Sequence, residues 1–343
     1  MQTLRSLAAL VEAGLAPADP RLVAAEQTLA IALTPAMHRA IDPARDTADP
    51  IARQFVPSVE ETVVAPEELA DPIGDRALAP VPGIVHRYPD RVLLKPTHVC
   101  PVYCRFCFRR EQVGPGGEAL SAAELEAALA YIAAHPAIFE VILTGGDPLM
   151  LAPARLARLV EALDAIPHVQ VIRVHSRVPV ADPERVTADL VAALAPRRAA
   201  LWLGIHSNHE AELGEAQRAA LRQFAVSAIP LFGQTVLLRG INDDAETLEK
   251  LFRRMLVCGV KPYYLHHPDL VRGTAHFRVD LARGREIMRG LRGRLSGLAQ
   301  PVYVLDVPGG HGKVPVGPGY LADDPEGWRV EDAFGASHRY PPV

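Results

Sequence analysis

From Arg91 onward the hydrophobic pattern alternates between two periods. Short β-branched runs at 91–94, 141–143, 169–174, 200–205, 235–238, 262–265 and 302–305 have the length and composition of strands. Between most of them lie stretches with apolar residues three and four apart, at 122–134, 153–165, 212–225, 245–258 and 283–294, which predict amphipathic helices. Ser121 with Glu124 three residues on forms a capping box for the first of these. Asp182 followed by Pro183 predicts a further helix, with Val186, Leu190 and Leu194 on one face. Strand–helix alternation over this length implies βαβ units and a parallel sheet, closed or partly closed into a barrel. Active sites in such folds gather at the C-terminal ends of the strands. Residues 1–85 read as an irregular helical segment interrupted by Pro17, Pro20, Pro35 and Pro43, with 57–82 as a linking arm outside the core. Residues 307–343, rich in glycine and proline, read as a loop and tail.

Composition narrows the function classes. The 343 residues are 49% hydrophobic and 22% charged, the balance of an ordinary globular chain. A net charge of −4 provides no basic field for nucleic acid. No apolar run reaches membrane-spanning length and the first residues show no signal-peptide core, so a soluble cytoplasmic protein is expected.

Three of the four cysteines, Cys100, Cys104 and Cys107, lie in one loop directly after the first predicted strand. Thiolates spaced C-x3-C-x2-C can hold three irons of a cubane cluster, and leave the fourth iron open because Cys258 lies far away in the chain. A zinc site or three buried free thiols are the alternatives; zinc ordinarily closes its shell with four ligands. With Phe106 before the last cysteine, the segment resembles the signature of the radical S-adenosylmethionine (SAM) enzymes. That resemblance implies a 4Fe-4S cluster whose open iron binds SAM, which is cleaved by one electron to a 5′-deoxyadenosyl radical. Gly145-Gly146-Asp147 after the next strand matches the family's second motif and is assigned to SAM binding, together with Phe106 and His206. The spacing of His206 and His209 would alternatively suit metal ligation.

Only four of the 36 basic residues are lysine, and Lys313 stands out among them. It closes Gly309-Gly310-His311-Gly312-Lys313 beyond the last predicted strand, where Val314 breaks the hydroxyl requirement of a phosphate-binding P-loop. A glycine-lined lysine at a barrel mouth can instead bind pyridoxal phosphate covalently. The stretch 305–316 is similar to the cofactor-lysine segment of the lysine 2,3-aminomutases, and the likeness runs from about His86 to Tyr320. By that resemblance Arg87 and Arg91 hold the cofactor phosphate, Gln234 lies in its pocket, Arg109 clamps the substrate α-carboxylate, and Asp269 and Asp306 grip an ε-ammonium.

The resemblance implies a partial (β/α)6 TIM-like barrel of the radical SAM type at 86–306, preceded by the helical segment 1–85 and followed by 307–343. It implies an isomerase that turns L-lysine into β-lysine with a 4Fe-4S cluster, SAM and pyridoxal 5′-phosphate. An external electron donor of flavodoxin or ferredoxin type and a homo-oligomeric assembly go with it. The narrower alternatives are an aminomutase for another amino acid and an enzyme making β-lysine for elongation factor P, whose compact form this chain shares at both ends.

Overall fold

The computed structural model describes residues 2–115, 119–325 and 327–342, apart from the side chains of residues 46 and 47. The seven predicted strands, with one unpredicted strand added at each edge, assemble into one sheet of nine, in sequence order. They are β1 (Ile84–Tyr88), β2 (Arg91–Thr97), β3 (Glu140–Gly145), β4 (Val171–Ser176), β5 (Ala200–His206), β6 (Leu231–Val236), β7 (Lys261–His266), β8 (Val302–Val307) and β9 (Gly312–Pro315). Strands β2 to β8 pair in parallel, one strand more than a six-stranded barrel, while β1 and β9 close the two edges antiparallel. Along β4 the pleat separates two environments: Ile172 and Val174 are buried in the main core, whereas Arg173 and His175 line the cavity.

Four short helices precede the sheet: α1 (Leu7–Glu12), α2 (Leu22–Thr28), α3 (Pro35–Ala40) and α4 (Ala52–Phe55). Seven others are interleaved with the strands: α5 (Ala122–Ala133), α6 (Pro153–Asp164), α7 (Val178–Ala181), α8 (Ala188–Ala192), α9 (Glu215–Val226), α10 (Ala245–Val257) and α11 (Leu281–Arg292). The Ser121–Glu124 capping box forms as the sequence requires. On α6, Leu156, Leu159, Val160 and Leu163 are the buried face against the barrel.

Four expectations need correction. Asp182 caps no helix: the segment splits into α7, a 3-10 turn at Pro183–Arg185 and α8, whose N-cap is Thr187. Strand β6 runs Leu231–Val236, earlier than the β-branched run suggested, because Leu237 and Leu238 are buried in the turn after it, where Asn242 Oδ1 accepts the Leu238 N–H at 2.7 Å. The segment 57–82 is no free arm: Glu61 is buried between Arg105 (2.6 Å) and Arg110 (2.8 Å), and Ile73 and Asp75 are buried as well. Finally, 307–343 is not a bare tail. After β9 it folds β10 (Leu321–Asp324), β11 (Gly327–Glu331) and β12 (Ser337–Tyr340) into a three-stranded antiparallel sheet. These strands are largely exposed, so they lack the alternation that marks a half-buried strand.

Candidate active site at the mouth of the barrel

All the residues assigned from the sequence to the cluster, the cofactors and the substrate line a single cavity of about 570 Å³. At one end lies the cysteine loop, pinned by Cys107 N–H to Cys104 C=O at 2.9 Å. Burial raises the pKa of all three thiols, Cys107 to about 11; nearby negative groups push Cys100 and Cys107 further, whereas the Arg177 cation opposes the rise at Cys104. Three adjacent thiolates therefore need compensating cations, which iron supplies. Among the described residues, no set of three or more His, Cys, Asp or Glu side chains converges on a single ion. Thiolates of a cubane each meet a different iron and need no such convergence.

The glycine turn braces this loop. Gly146 N–H bonds Thr97 C=O at 2.7 Å and Asp147 N–H bonds Val99 C=O at 2.9 Å. A Cβ at Gly146 would come within 2.5 Å of the His98 backbone, so only glycine lets the two segments meet. Asp147 lines the cavity and makes structural bonds as well. Its buried carboxylate accepts Ser176 Oγ (2.8 Å) and the N–H groups of Leu149, Arg177 and Val178, and so ties the β3 turn to the end of β4. His209 caps a 3-10 turn through Nδ1 and does not line the cavity, which removes it as a metal ligand beside His206.

Next to the cysteines, Phe106 meets His206 and Phe277 edge-on, at 5.8 and 6.0 Å, over Leu238, Ile241 and Val236. Of this group Phe106, His206 and Val236 line the cavity, backed by the buried Leu238, Ile241 and Phe277. Burial, and then the Arg177 charge, hold His206 down to about 3, so it is a neutral imidazole.

The opposite end is built around Lys313. Its ammonium contacts Asp306 and lies 3.3 Å from His266 Nδ1 and 5.8 Å from the Tyr264 ring centre. Its backbone N–H donates to Tyr88 Oη at 2.7 Å; that oxygen would stand 2.9 Å from a Cβ on Gly312, where φ is +96°. Of the four lysines only Lys313 lines the cavity. Arg87 bonds Ile73 C=O and lies 3.5 Å from Asp306. Arg91 pairs with Asp90 at 2.6 Å and stacks on Tyr88 at 3.8 Å. Gln234 Nε2 approaches His175 Nε2 at 3.5 Å. Burial holds both His175 and His266 well below the usual imidazole range. An amine on a strand end, two guanidinium groups and a tyrosine face fit a phosphorylated pyridine aldehyde.

Between the two ends, Arg109 Nε donates to Asp75 at 2.6 Å and its Nη1 lies 3.3 Å from Thr144 Oγ1. Lys95 Nζ and Arg87 Nη2 stand 3.7 and 3.9 Å from the same carboxylate. Burial alone would raise the Asp75 pKa, but these three cations outweigh it and hold the group low. Asp269 has the opposite balance: burial, then repulsion from Asp306, push it up to about 7. Sequence reasoning missed Asp75, His266, His175, Tyr264 and Arg177. The only signal was the dense arm sequence Asp71-Pro72-Ile73-Gly74-Asp75, which nothing local connects to the cavity.

Comparisons with known proteins identify the family. Residues 94–253 match the model of the radical SAM superfamily, which defines the class of enzyme. Residues 288–330 match a second model, described as lysine-2,3-aminomutase. The L-lysine 2,3-aminomutase of Clostridium subterminale is 40% identical over 295 residues, 86% of this chain and 70% of the relative. That of Fusobacterium nucleatum subsp. nucleatum is 41% identical over 295 residues, 86% and 69% of the two chains. That of Escherichia coli (strain K12) is 39% identical over 268 residues, 78% of each. The chain belongs to the lysine 2,3-aminomutase family of radical SAM isomerases, whose cofactors are a 4Fe-4S cluster, SAM and pyridoxal phosphate.

Proposed function

We propose that this enzyme converts L-lysine to β-lysine by moving the amino group from C2 to C3. One observation carries the substrate assignment. Asp306 already holds a lysine ammonium, that of Lys313, while Arg109 offers a carboxylate clamp in the same cavity. A substrate with an α-carboxylate and a distant ammonium matches that polarity. When bound, the cluster and SAM supply the hydrogen-abstracting radical, and pyridoxal phosphate supplies the carbonyl that carries the migrating nitrogen.

The chain's own residues do the rest. Asp75 fixes the Arg109 guanidinium through Nε, which leaves the outer face of the fork for a carboxylate. Asp306 and His266 Nδ1 are the acceptors within reach of the proton on Lys313 Nζ when that amine is called upon. Once the substrate ammonium arrives, it takes the seat that Lys313 leaves on Asp306, and Asp269 supplies the second carboxylate. Phe106 and Val236 give the radical-generating end an apolar wall against water, with the buried Phe277 and Leu238 packed behind it. Arg87, Arg91, Gln234, Gly145, Gly146 and His206 keep the cofactor roles assigned from the sequence, and their places around the cavity support this. A one-electron donor of flavodoxin or ferredoxin type, a homo-oligomeric assembly and a cytoplasmic location complete the proposal. Among the described residues no helix is long and apolar enough to cross a membrane.

The test is anaerobic incubation of reconstituted protein with L-lysine, dithionite, SAM and pyridoxal phosphate. β-Lysine is the expected product. Turnover of L-glutamate or another amino acid in preference to lysine would overturn the substrate, and no turnover with full cofactor loading would overturn the reaction.

A further inference from the structure

We propose that Arg177 sets the reduction potential of the iron–sulfur cluster by donating an N–H···S hydrogen bond to Cys104. The inference rests on the reading of Cys100, Cys104 and Cys107 as cluster ligands. Arg177 follows β4 directly and is buried. Its Nη1 lies 2.8 Å from Cys104 Sγ. Among the described residues it is the only side chain that donates to any of the three sulfurs; the other two are approached by the backbone N–H groups of Asp147 and Arg109.

The guanidinium is held in place from its far side. Nη2 donates to Glu212 at 2.7 Å and to Gln54 Oε1 at 2.6 Å. Glu212 is itself fixed by Asn208 N–H, His209 N–H and Gln54 Nε2, each at 2.9 Å. Gln54 Oε1 also accepts Asn208 Nδ2 at 3.0 Å. The ring faces of Phe55, at 4.7 Å, and Phe106, at 5.9 Å, close the sides. With Nη2 committed and the flanks filled, Nη1 has one direction left, and it points at the sulfur. A guanidinium keeps its charge at every working pH, and its fixed fork allows one group to serve the clamp and the sulfur together.

Reduction places one electron from an external donor on the cluster; no bond forms or breaks, and the negative charge spreads onto the cysteine sulfurs. A hydrogen bond from a cation to sulfur is stronger in that state, so it favours the reduced cluster and raises the potential. Burial magnifies the effect because the surroundings screen it poorly. Arg177 thereby links the end of β4 and the N-terminal helix α4, through Gln54, to the ease with which the first electron enters.

The experiment compares the reconstituted enzyme with its Arg177→Met and Arg177→Lys variants, all without SAM. Iron per chain is measured, and a mediated redox titration is followed by the paramagnetic signal of the reduced cluster. At the midpoint of the unsubstituted enzyme, Arg177→Met should show a reduced-to-oxidised ratio at least about tenfold lower, a shift of about 59 mV. Arg177→Lys should fall between the two, because an ammonium keeps the charge but cannot reach both the clamp and the sulfur. A loaded Arg177→Met variant with an unchanged ratio overturns the proposal. Failure of both variants to take up iron also overturns it, in favour of a purely structural arginine. Absence of a cluster in the unsubstituted enzyme would instead overturn the reading of the cysteines.

Discussion

The two ends of the cavity are made in opposite ways. The cluster end comes mainly from one loop after β2, with Cys100, Cys104, Phe106 and Cys107 within a few residues of each other. The lysine end, with the charges between it and the cluster, draws on Ile73 and Asp75 from the N-terminal arm, Arg87 from β1, His266 and Asp269 from β7 and the loop after it, Asp306 from β8 and Lys313 from β9. A metal cluster demands ligands at fixed short spacings, so its residues can share one loop. A two-ended substrate demands opposite charges separated in space, which only distant segments can supply. The first end is held by a rigid backbone and the second by charge balance.

The sharpest break falls at the cluster end. Protein reconstituted anaerobically should carry about four irons per chain. Cys100→Ala, Cys104→Ala or Cys107→Ala should each abolish SAM cleavage, whereas Cys258→Ala, buried in the main core, should leave both iron and cleavage intact. Iron analysis and 5′-deoxyadenosine release check this, and a requirement for Cys258 would end the three-thiolate account.

At the other end, Lys313→Ala should lose aminomutase turnover and the visible absorption of lysine-bound pyridoxal phosphate, while cluster loading persists. Borohydride reduction and peptide mapping should place the pyridoxyl group on Lys313. If both ends fail together in this variant, the separation drawn between them is wrong.

The charge balance is tested at Asp75. Removing it with Asp75→Ala leaves Arg109 and Lys95 buried with no common counter-ion. Breaking a buried pair this way costs about 3 kcal/mol or more, readable as a lowered denaturation midpoint. An unshifted midpoint would mean that solvent already screens the three cations.

A gentler test uses pH. Asp269, pushed up to about 7, is neutral below that pH and anionic above it. Only the anion holds an ammonium well, so kcat/KM for lysine should fall as pH drops below about 7. The Asp269→Asn variant should lose this limb and at least about tenfold in kcat/KM, since a charge-assisted hydrogen bond is worth roughly 1.5–3 kcal/mol. A wild-type profile flat across that range would remove Asp269 from the ammonium site.

The smallest effect is expected at Gly312→Ala. A positive φ and a Cβ pressed against Tyr88 Oη should cost about 1–2 kcal/mol and weaken cofactor retention while leaving iron content alone. Pyridoxal phosphate dissociation measured beside iron content checks it.

The sequence by itself determined the strand–helix alternation, the three-thiolate loop, the glycine turn and the solitary lysine in its glycine-rich segment. Each is a local pattern, set by backbone period, metal-ligand spacing or the absence of a side chain, and each keeps its meaning without knowledge of the fold. Tertiary structure alone decided that Asp147 is a pin between two strand ends, that His209 caps a turn away from the cavity, and that Asp75 gathers Arg87, Lys95 and Arg109. It also made strands of 307–343, because β9 is specified by its pairing with β8 and not by its own glycine- and proline-rich composition. The physical reason is common to all of these. A charge or an unpaired strand edge is satisfied by whatever the fold brings within a few ångströms, and segments far apart in the chain carry no mark of that meeting.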